Sequence, residues 1–259
     1  MFKKLRIAVL LFILATVAVN AWRAKAKVTE WKSTLHVAMF PINADGSDAS
    51  QRYIQDLQKD DFEPIEHFIA SQAQRYDVNV IRPVSVELGA AMNTLPPALT
   101  PHPNMLDAIS WSLRMRWWAW RNTPEVSVRP DVRMYLLYHD PATTNYLPHS
   151  IGLAKGQIGM AHIFASRNAN GSNAVVITHE MLHTFGATDR YAADSNMPRF
   201  PDGFANPGQT PRYPQTAAEI MAGRIPISET EARIPDGLFE AMIGPETAAE
   251  IGWRAEKQE

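Results

Sequence analysis

The chain has 259 residues, 46% of them apolar, a formal net charge of −2 and no cysteine. Its length supports one large domain or two small subdomains sharing a cleft, and its apolar content excludes a disordered chain. Near-neutral charge without long Lys or Arg runs beyond the N-terminus removes the electrostatic case for a nucleic-acid partner. The lack of cysteine excludes disulfides, thiolate metal sites and a cysteine nucleophile.

Lys3, Lys4 and Arg6 precede an apolar run from Ile7 to Trp22, broken only by Thr16 and Asn20. A basic flank followed by an apolar segment directs a chain to export. The run is about sixteen residues long, short against the ~20 of a spanning helix. Val19 and Ala21, or Ala24 and Ala26, offer a cleavage site, whereas Trp22, Arg23 and Lys25 offer an anchor at the membrane surface. Residues 1–26 are therefore expected to be a signal peptide or an N-terminal signal anchor. Residues 27–259 are then the exported body, on the periplasmic or extracellular side, tethered through residues 7–22 if the segment is retained.

The run Thr34–Ile42 predicts a first strand, closed by Pro41 and the turn Asn43-Ala-Asp-Gly46. Apolar positions across 49–76 predict helix with a break at Pro64, and Val78–Val86 predicts a second strand. A proline-rich loop at 96–103 precedes a helix over about 104–121. There Trp111, Met115 and Trp118 form an apolar face, Trp117 and Trp120 widen it, and Arg114, Arg116 and Arg121 take much of the rest. Two readings stand: a core-facing amphipathic helix, or a Trp/Arg surface lying on the membrane near the anchor. Val132–Tyr138 predicts a third strand, and Ile151–Ala165, with Gly152, Gly156 and Gly159, a glycine-broken strand pair. A helix then runs from the turn and cap at Asn170–Asn173 to Gly186. Residues 194–216 lack periodicity, and a short helix at Pro245–Trp253 closes the chain.

The penultimate helix carries the chemistry. The segment VITHEMLHTFGATD, residues 176–189, places His179 and His183 four residues apart with Glu180 between them. On a helix those histidines share a face and can present ring nitrogens to one metal ion. Glu180, about 100° round the helix, is set aside from the pair and placed to accept a proton from a water at the metal. Gly186 takes a left-handed conformation without steric penalty, so the chain can end the helix there and turn Asp189 back towards the histidines. A carboxylate is a competent third zinc ligand and leaves a fourth position for water.

This pattern, His179-Glu180-x-x-His183-x-x-Gly186-x-x-Asp189, resembles the extended zinc motif of the metzincin metallopeptidases, in the variant whose third ligand is Asp, as in the snapalysins. The resemblance implies an α+β fold: a mixed sheet with the active-site helix in an upper subdomain, about 34–186, and an irregular lower subdomain, about 187–259. It implies one catalytic Zn²⁺, Glu180 as catalytic residue, and Met221, in Ala218-Glu-Ile-Met-Ala-Gly223, as the methionine of a turn beneath the metal. It implies a polypeptide substrate laid along an edge strand, for which Gly159, Met160, Ala161 and His162 are the candidates, because Gly159–Phe164 is similar to that strand in matrix metalloproteases. In several relatives a Tyr two residues after the methionine helps to stabilise the oxyanion. Gly223 stands there in this chain, leaving Tyr191, Tyr213 and Arg224 as candidates. Three outcomes stay open: an endopeptidase, a zinc-stabilised and weakly or non-catalytic envelope binding module, and a hydrolase of cell-wall peptide amides.

Overall fold

The structure, a computed structural model, describes residues 2–98, 104–154 and 156–253. Most of the proline-rich segment expected at 96–103 lies outside them. The chain folds as an α+β domain around a five-stranded mixed sheet, with strands in the order β2-β1-β3-β5-β4. The strands β1 (Leu35–Asn43), β2 (Val84–Leu88), β3 (Val132–His139) and β5 (Ile158–Phe164) are parallel, while β4 (Ile151–Leu153) runs antiparallel to β5 at one edge.

The inner strands are apolar on both faces because helices cover both faces. Leu35, Val37 and Met39 pack with Val132, Met134 and Leu136 beneath α3 (Glu63–Arg75) and α5 (Asn170–Phe185). The alternate residues Phe40, Ile42, Tyr135, Leu137 and Met160 pack against Trp111, Met115 and Trp118 of α4 (Met105–Asn122). The period of two along each strand divides the core into two layers. Trp118 meets Tyr135 edge-on at 4.9 Å, so the core-facing side of α4 is filled by aromatic contact.

Three local expectations are corrected. The helix expected over 49–76 is broken as expected, but ahead of Pro64: α2 (Asp48–Gln55), capped by the Ser47 hydroxyl, and α3 are separated by a 3-10 turn at Lys59–Phe62. Pro64 begins a helix here instead of breaking one, since its missing N–H costs nothing in a first turn. The second strand starts at Val84, not Val78. Pro83 cannot donate to a ladder, and its carbonyl instead accepts the Leu35 N–H at 2.9 Å, which sets the start of the pairing. Asn170–Asn173 does not cap α5 from outside but forms its first turn, after a 3-10 turn at Arg167–Ala169. The Asn173 amide accepts from Phe164 N and donates to Phe164 O, pinning the start of α5 to the end of β5.

Helix α1 (Phe2–Glu30) continues through residue 26 and docks by its end. Val28 and Trp31 are buried, the Trp31 indole donates to Ile251 O at 2.6 Å, and its ring meets Phe185 and Trp253, each at 5.3 Å. Among the described residues no helix is long and apolar enough to cross a membrane. Beyond Gly186 regular structure is sparse. The strand β6 (Ala218–Glu219) pairs with β9 (Ala241–Met242), β7 (Ile225–Pro226) pairs with β8 (Ala232–Arg233), and α6 (Pro245–Glu250) ends the fold.

Candidate metal centre

Helix α5 presents His179, Glu180 and His183 to one small, buried volume, and this group could bind a metal ion. The helix lies close to the sheet because two glycines face each other beneath it. Gly152 of β4 pairs with Gly159 of β5. A Cβ on Gly152 would stand 2.3 Å from His183 Cβ and 2.5 Å from Glu180 O, and one on Gly159 would meet the Met134 sulfur at 2.4 Å. The Gly152 site excludes any side chain, because the helix backbone itself stands there, whereas at Gly159 the space is filled by the end of the Met134 side chain.

The helix ends at Gly186, whose φ of +115° is left-handed. Its N–H and that of Ala187 bond back to Leu182 O, closing the turn. Three residues on, Asp189 Oδ1 lies 3.1 Å from His179 Nε2 and 3.2 Å from His183 Nε2, and the two Nε2 atoms are 3.1 Å apart. Ligands 2.0–2.1 Å from a tetrahedral zinc are ~3.3–3.4 Å from one another, so this near-equilateral triangle has a suitable size.

Hydrogen bonding fixes the donor atoms. His179 Nδ1 is 2.9 Å from Ile220 O, and His183 Nδ1 is 2.8 Å from Ala187 O. A carbonyl only accepts, so both Nδ1 atoms carry hydrogen, and in the neutral rings both Nε2 atoms are lone-pair donors. Two lone pairs and a carboxylate oxygen then converge with no hydrogen between them, an arrangement that calls for a cation. Carbonyls behind the histidines are the partners that orient metal-binding imidazoles.

A proton can stand in that position. Burial lowers the His179 pKa, but the Asp189 hydrogen bond, the Glu180 charge and the Ile220 carbonyl outweigh it, and the net shift is upward. Burial raises the Asp189 carboxyl, yet the hydrogen bonds and charges of His179 and His183 hold it well below the usual range. Glu180 is buried, its Oε2 has no hydrogen-bond partner among the described residues, and its pKa is raised by burial against the pull of the two histidines.

The turn after β6 lies directly under the cluster. Ala222 N and Gly223 N bond to Glu219 O, Gly223 has φ +68°, and Met221 is fully buried with its carbonyl accepting from Arg190 N at 2.9 Å. Glu219, missed in the sequence, holds this turn. Its fully buried carboxylate accepts from Met221 N (2.6 Å), Ala222 N (3.1 Å), Gly244 N (3.1 Å) and the Thr247 hydroxyl (2.7 Å). An acid within the apolar run AAEIMAG was the available signal.

A cavity of about 330 Å³ opens over Glu180. It is lined by Leu147–Ser150 and His162 on the sheet side, Val175 and Val176 on α5, and Tyr191, Arg224 and Ile234 from the lower part. Of the three oxyanion candidates, Tyr191 and Arg224 line it, whereas Tyr213 packs on Phe204 with ring centroids 5.8 Å apart. Tyr191 lies 6.3 Å from His179, ring to ring, and burial with the charges of Asp189 and Glu180 pushes its pKa up to about 12. It therefore stays a neutral O–H donor. Of the substrate-strand candidates, Gly159 and Met160 pair on both sides, with β3 and β4, and Ala161 and His162 pair with β3. β4 forms the sheet edge alongside residues 158–160, and beyond it Ala161 and His162 have no strand on that side among the described residues. His162 borders the cavity, 2.9 Å from His139 across the sheet. Comparison with known protein families gives no matching family model, and comparison with curated proteins gives no match.

Proposed function

We propose that the chain is a zinc-dependent endopeptidase of metzincin type, in which His179, His183 and Asp189 hold Zn²⁺ and Glu180 is the general base. The observation that carries this reading is the convergence of three lone-pair atoms at 3.1–3.2 Å beside a buried carboxylate that has an unpartnered oxygen. A purely structural site has no need of that acid.

When bound, zinc supplies Lewis acidity, easing the ionisation of water near neutral pH and polarising a scissile carbonyl. The protein's own groups do the rest. Glu180, poised above the usual carboxyl pKa, accepts the proton of the attacking water and returns it to the leaving amine. Tyr191, neutral and beside the cluster, donates towards the oxygen on which charge develops. The outer edge of β4, which has no partner strand among the described residues, takes the substrate backbone as an added strand. From the basic and apolar N-terminus, the body works outside the cytoplasm, held at the membrane through residues 7–22 where that segment is retained.

The test pairs metal analysis with a mixed peptide library read by mass spectrometry, on the wild type and Glu180→Gln. One zinc per chain in both proteins, with cleavage by the wild type only and a loss of ~10²–10⁴-fold in the variant, is expected for a general base. Cleavage by Glu180→Gln at the wild-type rate sinks the assignment. One bound zinc without cleavage by either protein moves the reading to a metal-stabilised envelope module or to cell-wall peptide amides.

A further inference from the structure

Helix α4 is apolar on two opposite faces. Trp111, Met115, Trp118 and Ala119 are buried against the sheet. On the other side Leu106, Ile109, Leu113, Trp117 and Trp120 are 52–78% exposed. At 100° per residue these five fall within an arc of roughly 80°, centred almost opposite the buried set. Met105, 78% exposed, extends the stripe at its start. No described element covers this face.

Charge is arranged around the stripe. The helix has three arginines and one acid, Asp107, which is committed to the N-terminal capping box. By the same geometry Arg114 and Arg121 flank the stripe on one side and Arg116 on the other. Arg121 also lies over the Trp117 ring, 6.0 Å from its centroid. Tryptophan and leucine at the centre with arginine at the margins is the composition of a helix seated in the plane of a lipid interface.

Its neighbour is α1. Trp22, Lys25 and Val28 of α1 and Arg116 of α4 border one mostly apolar cavity of about 740 Å³, so the two helices share a side of the molecule. Leu5, Ile7, Val9, Leu10, Leu11 and Phe12 are exposed around the circumference of α1. The α1 sequence holds six Lys or Arg against one Glu, in a chain whose net charge is −2. Basic charge and uncovered apolar surface are thus concentrated on the same two helices.

We propose that the exposed stripe of α4 docks on the headgroup boundary of an anionic bilayer, beside α1, and holds the body flat against the membrane. Arg114 and Arg121 meet the anionic headgroups while Leu113, Trp117 and Trp120 enter the interface. Because Gly156, in the turn between β4 and β5, stands against Arg116, the sheet edge next to the metal centre lies close to that surface. This inference is independent of the proposed chemistry.

The absence of cysteine allows a direct test. Full-length protein carrying Leu113→Cys or Trp120→Cys is nitroxide-labelled, reconstituted in vesicles of phosphatidylglycerol and phosphatidylcholine, and compared with Glu229→Cys, an exposed position distant in sequence from both helices. Labels at 113 and 120 are expected to become more accessible to oxygen than to a water-soluble nickel chelate, while the label at 229 keeps the reverse order. Labels at 113 and 120 that keep the aqueous order in anionic vesicles overturn the proposal. Shielding of those labels in lipid-free protein of twice the monomer mass overturns it in favour of a second copy of the chain.

Discussion

The Ile220 carbonyl receives the Nδ1 hydrogen of His179 at 2.9 Å, and so decides which nitrogen of the first histidine faces the cluster. The metal centre is therefore as much a property of the turn after β6 as of α5. That turn is held from within by Glu219, which leads to a first prediction. Glu219→Ala leaves the buried Met221 and Gly244 N–H groups and the Thr247 hydroxyl without their acceptor, while Ala222 N keeps the Glu219 carbonyl. Each unsatisfied group costs ~1–3 kcal/mol, so a total of ~3–5 kcal/mol is expected after partial relaxation. The check is denaturant unfolding of zinc-free protein, where a loss below ~1 kcal/mol would show that the network is not structural. Glu219→Gln, keeping one acceptor oxygen, should lose less.

Two glycines near the centre should respond differently to the same added methyl group. At Gly152 the methyl meets His183 Cβ and the Glu180 carbonyl, so β4 must move away from α5. Overpacking of this kind costs ~1–3 kcal/mol and should weaken zinc binding as well as stability, since His183 is displaced. At Gly186 the nearest atom is Glu250 O at 3.5 Å, which is ordinary contact, and only the left-handed backbone is strained. Gly186→Ala should cost ~1 kcal/mol, and Gly186→Asn less, because Asn tolerates that conformation. Unfolding curves and zinc titrations of the three variants separate space from backbone conformation. Equal effects at 152 and 186 would contradict both arguments.

The contrast between these glycines explains what the sequence disclosed. His179, Glu180, His183, Gly186 and Asp189 act within one helix and one turn, where helical periodicity and left-handed glycine are strictly local rules. Their convergence was legible for that reason. The Ile220 carbonyl was not, because every residue has a carbonyl and only the fold chooses one. Gly152 looked like a strand break, since the helix it accommodates is far along the chain. The three-residue β4 is too short to show alternation, whereas the longer run after it carries the resemblance to an edge strand. Pro64 and Pro83 were visible, but whether a proline ends an element or begins one depends on its neighbours.

Asp189 tests the ligand set. Its carboxylate touches both histidines, and Asp189→Ala removes the charged oxygen that converges with their Nε2 atoms. Zinc affinity is expected to fall by at least ~100-fold, about 2.7 kcal/mol. Asp189→Asn should recover only part of it, because a neutral amide oxygen is the weaker donor. Competition against a zinc chelator measures both. Wild-type affinity in Asp189→Ala would assign the third ligand elsewhere, with Glu180 the nearest alternative.

The same atoms set a pH dependence. In the metal-free protein His179 has a raised pKa, so its pairing with Asp189 contributes stability below ~6.5 and loses it as pH rises through the folded value. Asp189 has a depressed pKa, so its contribution is present above ~3.8 and is lost as pH falls through the folded value. Zinc needs His179 deprotonated and competes with that proton. Zinc at about 100 times its Kd adds ~2.7 kcal/mol of stability, and a chain of this size gains ~2–4 °C in Tm per kcal/mol. Melting at pH 8 should therefore rise by ~5–10 °C on adding zinc at that excess, and the rise should shrink as pH falls through the raised His179 pKa. A histidine poised by the fold to take either a proton or a metal requires that trade. A zinc-induced shift of equal size at pH 8 and pH 5 would mean that His179 is not a ligand.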